Sequence, residues 1–167
     1  NDLKRAGSFG ALIADSKSFK ILIDHHEEPN YDGDIYYNDS TCCSTAQLVF
    51  DLIDELDDLE LVDLPIAEAI YFGLITDTGS FRFPSVNERT HEIIAHFLKI
   101  GLAHYKVHEA IFDHNSINRL QLNGFAISER LELLQNGRVA FIWLEEEDLK
   151  RFSAEKGDTE GLVNKAL

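Results

Sequence analysis

An α/β fold is what the sequence predicts: a mainly parallel sheet flanked by helices over residues 1–115, a linker helix over 116–135, and the beginning of a second α/β domain over 136–167. Three features point that way. Strand-like and helix-like segments alternate along the first part, the pattern of a parallel sheet with crossover helices. The apolar run Lys20-Ile21-Leu22-Ile23-Asp24 ends in polar residues, as a buried strand does. Asn136-Gly137 followed by Arg138–Leu144 reads as a turn feeding a strand.

In chain order, Ser8–Ala14 predicts a short helix and Asp34–Tyr37 a second short strand. Ser44 or Thr45 opens a helix whose Leu48, Val49, Leu52, Ile53 and Leu56 share one face. Pro65 suits the first turn of the next helix, where its missing N–H has no intrahelical partner anyway. Ile66, Ala69, Ile70, Gly73 and Leu74 form that helix's expected inner face, and its end is expected near Asp77-Thr78-Gly79. Further helices are expected over 87–100, closed by Gly101, from about His104 to His114, and from about Ile117 to Leu134. After the 138–144 strand, Glu145–Phe152 predicts a short helix and Thr159 starts another. Phe141 and Trp143 alternate with Ala140 and Ile142, which points to core packing rather than base stacking.

Charge narrows the function classes. The net charge is −15, and no Lys/Arg cluster offers the basic track that long DNA or RNA needs for counterion release. A nucleic-acid substrate is therefore expected to be short, with no long duplex bound; the blander reading of the acidity is solubility. No run of about 18 apolar residues marks a membrane span, so no membrane partner is expected. Asn1-Asp2-Leu3-Lys4-Arg5 leads into no signal peptide. Cys42 and Cys43 are adjacent, a poor arrangement for a structural bridge, and lack zinc-binding spacing. A reducing, cytoplasmic setting is expected. With no methionine even at position 1, the chain reads as a fragment.

Two segments carry chemistry. Asp24-His25-His26 follows the strand Ile21–Ile23, and ligands of open α/β sheets gather beyond the carboxyl ends of strands. A carboxylate with two imidazoles suits Mn, Mg, Zn or Fe without choosing among them; the alternative is a polar loop with two surface histidines. In the second segment, Ile70, Gly73, Leu74 and Asp77 fall at i, i+3, i+4 and i+7, so the apolar stripe is expected to carry the Asp77 carboxylate inward, where it needs a cation or several donors. The alternative makes Asp77 a helix cap or turn residue.

Together, Asp24-His25-His26 and Asp77-Thr78-Gly79 resemble the third and fourth motifs of the DHH phosphoesterase family. Ser44-Thr45-Ala46-Gln47-Leu48-Val49, Thr76 to Phe83 and Thr90-His91 resemble its continuation. Asn118-Arg119-Leu120-Gln121-Leu122 and Lys156 to Asn164 are similar to the branch of nano-RNases, oligoribonucleases that also act on phosphoadenosine phosphate. The resemblance implies a DHH domain followed by the start of a DHH-associated substrate-binding domain. It implies two divalent cations, Mn or alternatively Mg, that activate a water for attack on phosphorus. His25 and Asp77 would be metal ligands. His26 would touch the scissile phosphate or support the site, and Asp24 would orient a histidine or sit near the metals. Short oligonucleotides or nucleotides are the implied substrates, with a homodimer among the expected assemblies.

The chain departs from the family pattern at both ends: the N-terminal motif with its His and paired Asp residues is absent, Asp2 is a weak substitute for the second motif, and the C-terminal glycine-rich motif is missing. Three further candidates for substrate binding each have a plain alternative. Arg82 could pair with a phosphate or form a surface ion pair. Ser44 could donate to an anion or cap its helix. Arg119 could touch substrate or form a salt bridge. His91, His96, His104 and His108 read as helix-surface or packing residues. The rival functions are a cyclic-dinucleotide phosphodiesterase, a RecJ-like exonuclease, an inorganic pyro- or polyphosphatase, and a non-catalytic metal- or nucleotide-binding module.

Overall fold

In the computed structural model, residues 3–27, 33–113 and 115–166 are described; Asp2 and His114 lie outside them. The polypeptide divides into two compact units, Asn1–Ala110 and Ile111–Leu167.

In the first unit, α1 (Phe9–Asp15) precedes two short strands, β1 (Ile21–Asp24) and β2 (Ile35–Asn38). They pair in parallel, with Ile21 opposite Ile35 and Asp24 opposite Asn38. The expected α/β class is what forms, its parallel sheet having two strands among the described residues. Burial along β1 runs opposite to expectation: Ile21 is exposed, Leu22 and Ile23 are half-buried, and the terminal Asp24 is buried.

Three helices build the core. Helix α2 (Thr45–Glu55) starts where the Ser44 hydroxyl accepts the Gln47 N–H at 3.1 Å. Helix α3 (Leu64–Asp77) starts at Asp63, whose carboxylate accepts the Ile66 N–H, with Pro65 in the first turn as expected. Helix α4 (Glu88–Lys99) opens on a reciprocal cap between Asn87 and Thr90. Leu48 and Phe50 of α2, Ala67, Ile70, Tyr71, Leu74 and Ile75 of α3, and Ile93 and Phe97 of α4 are buried together. Phe50 and Phe97 meet edge to face, ring centres 5.3 Å apart.

Two expected faces are rotated. Leu56 is exposed, and the buried residues of α2 are Gln47, Leu48 and Phe50. Gln47 can be buried because its Oε1 accepts from Thr90 Oγ1 at 3.2 Å and from Cys43 Sγ at 3.0 Å, a polar seam between α2 and α4. On α3, Ile66 and Ala69 face solvent instead of the core. Arg89 of α4 reaches back to α2, pairing with Asp51 at 2.8 Å and with Asp54. Helix α5 (His104–His108) packs on α3 and continues as a π-turn over Glu109–Asp113 rather than as one long helix.

In the second unit, α6 (Ile117–Glu129) is shorter than expected. Residues 131–134, expected to be helical, form β3 (Leu131–Leu134), antiparallel to β4 (Val139–Ile142) around the Asn136-Gly137 turn. A hairpin partner captured a segment whose Leu-rich composition also suits a helix, since cross-strand pairing overrides local propensity. Phe141 is 51% exposed and stacks on Trp143, 5.6 Å between ring centres, so it is not a core residue of the unit. Arg130 bonds the buried Asp148 at 2.9 Å, at the start of α7 (Glu146–Arg151). The helix expected at Thr159 is a turn followed by a 3₁₀ segment over Val163–Ala166.

Gly73 marks the closest approach of α2 and α3: a Cβ there would lie 2.6 Å from Ala46 Cβ. Replacing it with alanine gains up to about 1 kcal/mol of helix propensity but forces overpacking that costs about 1–3 kcal/mol. Gly73→Ala is therefore expected to lower the urea midpoint, and Ala46→Gly in the same chain to restore part of the loss. A Gly73→Ala midpoint at or above wild type would contradict this packing.

Candidate metal centre

The site grows out of the matched ends of β1 and β2. Because Asp24 and Asn38 stand opposite each other, Asn38 Nδ2 can donate to the Asp24 carbonyl at 2.6 Å and to the His26 carbonyl at 3.0 Å. A side chain of the neighbouring strand thus folds the Asp24-His25-His26 corner over the end of the sheet.

Both imidazoles of that corner have their tautomers set by acceptors that carry no proton. His25 Nδ1 lies 3.3 Å from the Cys42 carbonyl oxygen, and His26 Nδ1 lies 2.7 Å from Asp24 Oδ1. A carbonyl or carboxylate can only accept, so each Nδ1 carries a hydrogen, and in a neutral ring Nε2 is then the nitrogen with the lone pair. The rings sit 4.5 Å apart between centres. The Asp24 carboxylate, expected to orient a histidine or to sit near the metals, is bonded to the ring of His26. Burial alone would raise the Asp24 carboxyl, but hydrogen bonds from the His26 ring and backbone N–H outweigh it and hold the group below its ordinary value.

His25 Nε2 faces Asp77 Oδ2 across 3.7 Å. That distance exceeds a hydrogen bond, and in the neutral ring with hydrogen on Nδ1 both facing atoms are acceptors, an arrangement that a cation between them, or a second ring proton, relieves. Imidazole nitrogen with carboxylate oxygen is a donor pair that suits Mn and related divalent ions. The fit is to one edge of a centre: among the described residues, no group of three or more His, Cys, Asp or Glu side chains is placed to hold an ion.

Asp77 arrives there by a different route from the expected one. The buried stripe of α3 runs through Ala67, Ile70, Tyr71, Leu74 and Ile75 to Thr78, and the Asp77 side chain is 44% exposed. Thr78 takes the inward position because its hydroxyl can satisfy itself locally, donating to the Leu74 carbonyl at 2.6 Å and accepting the Phe81 N–H at 2.9 Å. Asp77 is left beside the His25 loop, open to solvent. Burial therefore gives this carboxylate no need for a cation; a neutral imidazole facing it would.

The chain beyond Thr78 is strained. Gly79, Ser80 and Phe81 have φ of 56°, 64° and 63°, and each left-handed non-glycine residue costs about 1–2 kcal/mol. A Cβ at Gly79 would sit 2.6 Å from the Phe83 ring, so a side chain there would have to displace that ring. The Ser80 N–H to the Ile75 carbonyl at 2.8 Å and the Phe83 N–H to the Thr78 carbonyl at 3.1 Å hold the turn. Such strain persists where surrounding contacts over-determine it, and it collects at functional sites.

The side-chain bonds of the other candidates are made elsewhere. Ser44 is fully buried and its hydroxyl caps α2, so it has no surface to offer a ligand. Arg82 is exposed, with Nε donating to the Gly79 carbonyl at 2.7 Å rather than to an acidic side chain. Arg119, in the second unit, donates to the Glu160 carbonyl at 3.1 Å, so a backbone oxygen takes the place of the expected salt-bridge partner. Sequence reasoning missed Asn38 and the Cys42 carbonyl. Asn38 had a signal, a polar residue closing the second predicted strand; a backbone carbonyl has none.

Residues 3–74 match the family described as DHH family, N-terminal domain. The chain carries a DHH-family domain. It is 25% identical over 144 residues to the bifunctional oligoribonuclease and PAP phosphatase NrnA of Bacillus subtilis, covering 86% of this chain and 45% of that protein. It is 28% identical over 156 residues to the probable NrnA of Streptococcus mutans, covering 88% and 46%. An exopolyphosphatase-related protein from Bacteroides fragilis superimposes with a TM-score of 0.92 at 33% identity, covering 99% of this chain and 48% of that one. The DHH-domain chain thus spans about half the length of the curated relatives it matches.

The depressed Asp24 carboxyl makes a signed prediction. A carboxylate lowered by folding contributes stability that is fully present above its unfolded pKa of about 4 and lost as pH falls through the lower folded value. The stability difference between wild type and Asp24→Asn, read from urea midpoints, is expected to shrink as pH drops below about 4. A difference that stays constant through that range would contradict the His26 assignment.

Proposed function

We propose that this chain is the DHH portion of a metal-dependent phosphoesterase that hydrolyses short oligonucleotides and phosphoadenosine phosphate. The observation that carries the reading is the opposition of His25 Nε2 and Asp77 Oδ2 at 3.7 Å, with the Nδ1 proton of His25 committed to the Cys42 carbonyl. His25 and Asp77 would hold one of two divalent ions, Mn or alternatively Mg, and the remaining ligands would come from outside the described residues. When bound, the ions supply activation of a water and neutralisation of phosphate charge. The chain's own residues do the rest. Asp24 fixes the His26 ring so that Nε2, on a side chain 49% exposed, points to where a phosphate or its ion would sit. The Cys42 carbonyl keeps the His25 lone pair aimed at the centre.

The relatives named as oligoribonuclease and PAP phosphatase support these substrates over a long strand. So does the net charge of −15, which offers no basic track to a polymer. Cyclic dinucleotides, RecJ-type substrates and polyphosphate remain competitors at the same corner. No helix among the described residues is long and apolar enough to cross a membrane, and action in the cytoplasm is part of the proposal. A second reading, a metal- or nucleotide-binding module without catalysis, draws on the pairing of only two ligand side chains among the described residues.

The test is release of mononucleotides from a diadenylate, and of phosphate from phosphoadenosine phosphate, by the intact protein with Mn²⁺, followed by chromatography. His25→Ala and Asp77→Ala are each expected to lower kcat/KM by about 100-fold, in line with loss of metal-site groups. Binding of Mn²⁺ without hydrolysis of either substrate would favour the module; hydrolysis surviving both substitutions would place the chemistry elsewhere.

A further inference from the structure

His108, on α5, has no part in the site as described so far, yet it touches the element that carries Asp77 in two places. Its Nε2 lies 3.0 Å from the Tyr71 hydroxyl, and its Nδ1 lies 3.4 Å from the Ser80 hydroxyl. Tyr71 belongs to the buried stripe of α3, and burial pushes its hydroxyl's pKa up, so it remains a protonated partner. Ser80 is the middle residue of the left-handed stretch Gly79-Ser80-Phe81, three residues after Asp77. A neutral imidazole carries one donor and one acceptor, so it can serve both hydroxyls at once, whichever tautomer it adopts.

The ring packing follows the same logic. Tyr71 lies 5.8 Å from His108 and 5.8 Å from Phe81 between ring centres, so α5, the inner face of α3 and the strained turn form one block. Hydrogen bonds internal to the turn define its shape. Through the Ser80 side chain the turn also reaches α5, at His108.

We propose that His108 is a positioning residue: by bridging Tyr71 and Ser80 it clamps the left-handed turn at 79–81 and so holds Asp77 opposite His25. The consequence for metal binding rests on the function proposed above; the clamp itself does not. Tyr71, Ser80 and His108 act as one unit, and loss of any member lets the backbone leave the left-handed region, which moves the Asp77 carboxylate away from the imidazole.

The experiment uses the intact protein with Mn²⁺ as the probe, its affinity read from the electron paramagnetic resonance signal of the unbound ion, together with amide hydrogen exchange at Ser80, Arg82 and Phe83. His108→Phe keeps a ring of similar size and removes both hydrogen bonds; Ser80→Ala removes one of them on a partly exposed residue and guards against a failure of the first variant to fold. Each is expected to weaken Mn²⁺ binding about 10-fold, the lower end for groups that hold a ligand in place. The double variant is expected to be no weaker than His108→Phe alone, because partners in one network are not additive. Exchange at the three amides is expected to quicken in each variant while the thermal midpoint of the whole protein stays near wild type. Mn²⁺ affinity within about two-fold of wild type in folded His108→Phe and Ser80→Ala would overturn the proposal, as would unchanged exchange at 80–83. If the wild type binds no Mn²⁺, the metal-dependent function fails, and the exchange comparison alone decides whether the clamp exists.

Discussion

The Cys42 carbonyl decides which nitrogen of His25 carries the hydrogen, and much of the candidate centre depends on that choice. With the proton on Nδ1, the lone pair of Nε2 looks at the Asp77 carboxylate across 3.7 Å, and the pair becomes a place for a cation. With the other tautomer, a donor would face the carboxylate and the pair would call for no ion. The carbonyl lies two residues before Ser44, whose hydroxyl caps α2. A helix cap at one residue and the ring hydrogen of another are linked through a few backbone bonds.

A second dependence runs along α3. Its buried face is set by side chains that pack against α2 and α4, and Gly73 against Ala46 leaves no room for a Cβ between α3 and α2. Asp77 stands off that face, which is why it is reachable from solvent while Thr78, one residue on, is fully buried. The strained turn then has to redirect the chain within a few residues, and α5 packs behind it. The helix that forms the core also delivers the carboxylate, so stability and site geometry are not separable here.

Electrostatics around the sheet end point the same way. Asp39, Asp51, Asp54 and Glu55 line an open cavity of about 670 Å³ beside β2, with Tyr37 and Arg89. Arg89 is held by Asp51 and Asp54, and these carboxylates favour its charged form despite its partial burial. An anionic substrate approaching this surface meets negative charge, so bound cations would have to reverse the local field for phosphate to dwell there. The acidity of the whole chain, which alone reads as solubility, gains a local meaning only once these side chains are placed.

By itself, the sequence determined the parts that short-range physics controls. Ser44 and the start at Asn87 mark helix beginnings, Pro65 fits its first turn, and Asp24-His25-His26 and Asp77 announce a polar corner by residue type and by likeness to the DHH family. Helical faces were legible only to within a residue, and one residue turns a helix by about 100°. That is enough to put Ile66 and Ala69 in the core and Asp77 inside, where the structure has them facing solvent. Residues 131–134 became a strand only because 139–142 lie opposite them. The tertiary structure alone decided the matched ends of β1 and β2, the tautomers of both histidines, and the meeting of His25 with Asp77. Each of these depends on atoms far apart in the chain, and periodicity along one segment carries no information about them.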